Sequence, residues 1–181
     1  MPTEQFHVRV SKDYLVFCSG HFITYESDKC ECLHGHNYRA SVELRAPLDH
    51  NHYVFDFIAL KKIARALTDE LDHKMLLPSG NPLIRVVTEG RKVTVNYKDR
   101  EWQFPVEDCL IMPIANTTAE LLARYLAQRT LQELETKHHF RPETLADILY
   151  EYGEERHSRR IARRVAAERE KEPIRTAKQF A

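Results

Sequence analysis

Lys29-Cys30-Glu31-Cys32-Leu33-His34-Gly35-His36-Asn37-Tyr38 packs two of the four cysteines and two of the ten histidines of the 181-residue chain into ten positions. On a β-strand residues i and i+2 point to the same face, so the imidazoles of His34 and His36 can converge on one ion. Gly35 between them leaves the opposite face bare. A strand-borne His-x-His supplies two nitrogen ligands of the kind Zn²⁺ prefers. A third protein ligand would complete a catalytic site with one position open for water or substrate. His21, in Phe17-Cys18-Ser19-Gly20-His21-Phe22, is the candidate, because it ends an alternating apolar run that suits the adjacent strand of a hairpin.

Outward from this stretch, Phe6, Val8 and Val10, then Tyr14, Val16 and Cys18, alternate as the buried face of a strand over residues 6 to 18, with a bulge near Ser11-Lys12-Asp13. Residues 22 to 33 form the loop that holds Cys30, and 36 to 46, with Tyr38, Ala40, Val42 and Leu44 in register, return as the partner strand. His50 and His52 lie in a polar turn, where surface residues are the simpler reading. Asp56 suits the N-cap of a helix over 57–71, whose Ile58, Leu60, Ile63, Ala64, Leu67 and Leu71 recur at helical spacing. Leu76-Leu77-Pro78-Ser79-Gly80-Asn81-Pro82 reads as the turn that ends this pattern. Three short strands over 83–88, 92–97 and 101–104 then make a surface hairpin with no part in chemistry. Asn116-Thr117-Thr118 starts a second long helix, to about residue 137. Beyond it Leu145, Ile148, Leu149 and Tyr152 recur at helical spacing. The division expected is a domain over 1–143 and a charged helical tail over 144–181.

Length and composition fit one well-cored domain with a tail. Zero formal net charge with 30% charged residues gives no global electrostatic footprint for nucleic acid. No apolar run approaches a membrane span, and Met1-Pro2-Thr3-Glu4-Gln5 lacks the basic and apolar segments of a secretory signal, so the expected address is cytoplasmic. Four cysteines without export signals are expected as free thiols, with Cys18 and Cys109 as small buried side chains.

Five motifs carry a family resemblance: Ser19-Gly20-His21-Phe22, Cys30 to Tyr38, Phe55-Asp56-Phe57 with Leu60-Lys61, Leu71-Asp72-His73, and Asn116-Thr117-Thr118-Ala119-Glu120. Their order resembles the 6-pyruvoyl-tetrahydropterin and 6-carboxytetrahydropterin synthases, over residues 5 to 140 or so. The resemblance implies an α+β tunnelling fold, an antiparallel sheet backed by two helices, assembled into trimers and hexamers with active sites between subunits. It implies His21, His34 and His36 as zinc ligands, Cys30 as the catalytic thiol with Asp72 and His73 completing its relay, and Thr117, Thr118 and Glu120 holding the pterin. The implied substrate is 7,8-dihydroneopterin triphosphate. Cys30, four before His34, resembles the carboxy-forming enzymes of queuosine biosynthesis. Glu31, three before His34, resembles relatives that cleave the same substrate toward a folate precursor. The family's final strand, with its pterin-anchoring glutamate, is not legible in the sequence.

The segment from Tyr150 to Arg163, with Glu172-Pro173-Ile174-Arg175-Thr176, instead resembles part of the bacterial 16S rRNA cytosine-N4 methyltransferases. That family's cofactor-binding glycine motif is absent, which excludes methyltransferase activity. Two readings of other classes stand beside the enzyme. One is a zinc-stabilised assembly protein without catalysis, which three ligands and an open position argue against. The other is RNA binding through Arg156 to Arg164, which Glu151, Glu154, Glu155 and Glu168 dilute.

Overall fold

The computed structural model describes residues 5–142 and, as backbone, 144–152. Its central element is a long antiparallel pair, β1 (Phe6–His21) and β4 (His34–Ala46). β4 buries its even positions from Tyr38 to Ala46 without interruption, and on β1 Phe6, Val8 and Val10 oppose Ala46, Leu44 and Val42. The pairing then jumps. Ser11 opposes Ser41 and Val16 opposes Arg39, so five steps along β1 match two along β4. The excess is odd, and side chains alternate with period two, so β1 changes faces at this bulge. Beyond it Leu15, Phe17, Ser19 and His21 point inward, while Tyr14, Val16 and Cys18 are exposed. The buried face expected for Tyr14, Val16 and Cys18 is thereby corrected: the bulge falls where the sequence places it, and its parity exchanges the two sets. Cys109 is half-buried, its thiol donating to the Pro105 carbonyl at 3.3 Å.

The loop between β1 and β4 contains a two-residue hairpin, β2 (Thr24–Tyr25) with β3 (Lys29–Cys30). Helix α1 (Phe57–Leu71) starts at Asp56, whose carboxylate accepts from the Ile58 and Ala59 amides at 2.7 and 3.2 Å. The stretch after α1 is a strand where the sequence suggests a turn. β5 (Lys74–Pro78) pairs in parallel with β1 and with β9 (Cys109–Met112). Leu76 faces the core beneath α1 and α2 (Ala119–His138), whereas Met75 and Leu77 face a second core. A strand buried on both faces reads as an unbroken apolar run and hides its period. The second core lies under an antiparallel sheet of β6 (Arg85–Glu89), β7 (Lys92–Tyr97) and β8 (Arg100–Pro105), built on Val93, Val95 and Tyr97 with Phe22.

The last strand, β10 (Thr144–Tyr152), pairs antiparallel with the outer edge of β4, giving the order β10-β4-β1-β5-β9. The helix expected from residue 144 is corrected over these nine residues. A chain segment facing the unpaired amides and carbonyls of β4 gains a ladder of main-chain bonds that outweighs a weak helical periodicity. The remainder of the expected tail, 153–181, lies outside the described residues.

Asp56→Ala should lower the unfolding free energy by about 1 kcal/mol, since it orphans two first-turn amides; urea denaturation measures this, and an unchanged midpoint would remove the cap from the account. Ending the chain at Pro142 should bare the β4 edge and cause aggregation in size-exclusion chromatography, whereas ending it at Tyr152 should not. Equal behaviour of the two would show that β10 does not close the sheet.

Candidate metal centre and reactive loop

The change of face on β1 decides the site. In antiparallel register His21 lies opposite His34 and Ser19 opposite His36, so the three imidazoles share the core-facing side at one end of the sheet. Their ligand atoms all lie within 4.8 Å of one another. His34 Nε2 and His36 Nε2 are 3.0 Å apart. Two ligands of a tetrahedral ion with bonds of about 2.0–2.1 Å would sit about 3.3 Å apart, so the spacing suits a shared cation.

Hydrogen bonds on the far side of the rings fix which nitrogen faces inward. His21 Nδ1 donates to the Thr117 carbonyl at 3.0 Å, with Thr117 Oγ1 also at 3.2 Å, and His34 Nδ1 donates to the Cys32 carbonyl at 2.8 Å. A carbonyl only accepts, so both protons reside on Nδ1 and both Nε2 lone pairs are left for a ligand. The Tyr38 hydroxyl lies 3.3 Å from His21 Nε2, the acceptor that tautomer provides. His21 is 3% exposed. Burial, then the proximity of His34 and His36, brings its pKa down to about 4, against the opposing pull of the Thr117 bond. It is therefore a neutral donor at physiological pH. Three imidazoles with no carboxylate among them form the donor set of an open zinc-type site.

Thr117 is 0% exposed, with its hydroxyl donating to the Phe22 carbonyl at 3.1 Å, so its contacts within the chain run to Phe22 and to His21. Thr118 is the N-cap residue of α2 without a side-chain cap bond, and Glu120 is exposed in the first helical turn. Both remain at the mouth of that helix.

Cys30 ends β3 and is half-buried. Burial pushes its thiol up, the Arg100 guanidinium pulls it back, and Glu31 and Cys32 add to the rise. Glu31 Oε2 lies 3.8 Å from His34 Nε2. Asp72 and His73 form a separate pair at the end of α1. Asp72 accepts from the Cys18 amide at 2.8 Å and meets His73 Nδ1 at 3.0 Å. The amide bond, then His73, holds the Asp72 carboxyl below its usual range. His73 has φ +56°, donates its amide to the Cys18 carbonyl at 2.7 Å, and presents an imidazole 82% exposed. A left-handed histidine kept in place by its neighbours is a feature worth testing for function. The contacts of this pair run to the main chain of β1 at Cys18, not to the histidine triad.

Arg100, Asn81 and Asn116 escaped the sequence reading. Asn116 brackets Thr24 of β2, accepting from its amide at 3.2 Å and donating to its carbonyl at 2.8 Å, while Asn81 Nδ2 donates to Thr24 Oγ1 at 2.9 Å. Asn116 stands in the motif quoted for the helix start. Nothing in the sequence marks Arg100 or Asn81.

The family model described as 6-pyruvoyl tetrahydropterin synthase matches residues 9–152, and so includes β10. A putative 6-carboxy-5,6,7,8-tetrahydropterin synthase of Methanocaldococcus jannaschii is 36% identical over 121 residues, 66% of this chain and 74% of that protein. The structure of Plasmodium vivax 6-pyruvoyltetrahydropterin synthase, in a variant whose catalytic glutamate is replaced by alanine, superposes with a TM-score of 0.68 at 27% identity, covering 75% of this chain and 83% of that one. A separate short match joins the C-terminal segment to the ribosomal RNA small subunit methyltransferase H of Deinococcus radiodurans, 65% identical over 37 residues, 20% of this chain and 12% of that protein. With the motifs, the sheet order and the histidine triad in agreement, the chain belongs to the 6-pyruvoyl tetrahydropterin synthase family.

Proposed function

We propose that this pterin synthase relative is a zinc-dependent lyase that acts on 7,8-dihydroneopterin triphosphate and forms 6-carboxytetrahydropterin, a queuosine precursor, in the cytoplasm. The observation that carries the reading is the triad itself: three imidazoles converge, and two are locked by main-chain carbonyls with their free nitrogens turned inward. When bound there, zinc supplies Lewis acidity toward the side-chain hydroxyls of the substrate. His21, His34 and His36 hold it. Cys30, on its pinned hairpin, takes the proton from the side-chain carbon, with the charge of Arg100 favouring its thiolate. Asp72 keeps the proton of His73 on Nδ1, so Nε2 is free to exchange a second proton. Thr118 and Glu120 border the pterin. The outward imidazole of His73 suits a site completed by a neighbouring copy, in a trimer or hexamer.

A second reading, formation of a 6-pyruvoyl product or cleavage toward a folate precursor, assigns the proton abstraction to Glu31. Its carboxylate lies 3.8 Å from the His34 ring nitrogen, and a glutamate is catalytic in the Plasmodium vivax relative. Mass identification of the product from 7,8-dihydroneopterin triphosphate decides between them.

Wild-type protein should carry one zinc per chain by elemental analysis, and His34→Ala should lose it; full metal content in that variant would overturn the ligand set. Cys30→Ala should lower turnover by about 100-fold or more with zinc retained, while Cys32→Ala should have little effect. The reverse ranking would move the base to Cys32, and a dominant loss in Glu31→Gln would favour the second reading.

The metal-free protein has a pH signature. His21 stays neutral in the fold down to about pH 4, while in the unfolded chain it takes up a proton near about pH 6.5. Between these values the unfolded state binds more protons, so this contribution is fully present above about 6.5 and is lost as pH falls toward 4. Its full extent is on the order of 3 kcal/mol, whereas the Asp72 contribution disappears only at lower pH, below its ordinary range. Urea midpoints of chelator-treated protein should therefore fall between pH 7 and pH 4.5, and His21→Asn should flatten the trend. An equal slope in the variant would assign the loss to other groups.

A further inference from the structure

The three-stranded sheet β6-β7-β8 has no part in the expected chemistry, yet its contacts run to the loop that bears Cys30. Arg100, the first residue of β8, donates from Nη2 to the Cys30 carbonyl at 2.9 Å and from Nη1 to the Glu31 carbonyl at 3.3 Å. One planar fork thus holds two consecutive carbonyls. The fork is itself held: its central carbon lies 5.0 Å from the Tyr97 ring centre and 5.2 Å from that of Trp102. Trp102 stacks on Phe22, the residue after His21, at 4.7 Å. At the other end of the loop, Lys98 pairs with the Asp28 carboxylate at 3.0 Å and the Tyr97 hydroxyl donates to the Asp28 carbonyl.

We propose that this sheet is a clamp for the reactive loop, with Arg100 the positioning residue that aims Cys30; this rests on the assignment of Cys30 as the base. Two carbonyls fixed by a rigid fork restrict the backbone torsions on either side of Glu31, and with them the direction of the Cys30 side chain. A lysine keeps the charge and loses the fork. The charge also has a task, because burial, with Glu31 and Cys32 adding to it, holds the Cys30 thiol above its ordinary range, and the Arg100 guanidinium opposes that rise. The role differs from the zinc site, since the bonds that lock His21 and His34 come from Thr117 and Cys32.

The test compares wild type, Arg100→Gln and Arg100→Lys in three readouts: zinc content, kcat and KM, and the pH dependence of Cys30 alkylation by iodoacetamide, resolved from Cys32 by fragment-ion mass spectrometry. Arg100→Gln should keep its zinc, lose about tenfold or more in kcat with little change in KM, and shift the alkylation midpoint to higher pH. Arg100→Lys should restore the midpoint and leave kcat depressed. If Arg100→Gln retains wild-type kcat and alkylation midpoint, or if Arg100→Lys rescues kcat fully, the positioning role is overturned. Should Arg100→Gln not fold, the lysine variant decides alone by its kcat. Failure of the base assignment reads differently: Cys30→Ala would then keep its turnover, while the alkylation midpoints would still report on the clamp.

Discussion

The pairing of β1 with β4 is the constraint on which the other features depend, and within it the odd-numbered excess at Ser11 to Val16. A strand that kept its parity would carry Val16, Cys18 and Gly20 on the inner face and turn His21 to the outer one. Because side chains alternate strictly, three surplus residues exchange the faces at no cost to the ladder on either side. Phe17 then stacks on Tyr38 at 4.8 Å inside the core, and His21 comes to lie with His34 and His36. The metal-type site is thus a consequence of register, and the apolar stack beneath it holds that register.

Two further elements hold the site and its loop. The segment entering α2 arrives from residue 116 onward and presents the Thr117 carbonyl to His21 and Asn116 to β2. The small sheet arrives from residues 85–105 and presents Arg100 to β3. The reactive loop is therefore fastened at both strands of its hairpin, by an amide side chain on one and a guanidinium on the other. A loop so restrained holds the backbone around Cys30 in one arrangement.

The strand β10 closes the outer edge of the sheet against β4, which would otherwise present unpaired main-chain groups along most of its length. The family match ends at the same residue as this strand, 152. The short likeness to the rRNA methyltransferases belongs to the C-terminal segment.

Spacing alone exposed the His34-x-His36 pair, the third histidine at position 21, the Asp56 cap and both long helices, because each rests on local chemistry or on a period of 2 or 3.6 that the sequence displays directly. The bulge at Ser11 to Asp13 was also legible, though not its parity, since a count of surplus residues exists only relative to a partner strand. β5 was hidden because burial on both faces erases alternation, and β10 because a weak helical period yields to an open sheet edge. The fork of Arg100 on the Cys30 and Glu31 carbonyls lies about 70 positions away along the chain and engages main-chain atoms. Side-chain identity at the receiving end carries no trace of such a bond. Local patterning therefore singled out the three histidines, and only the tertiary structure decided which face they share and what fixes them there.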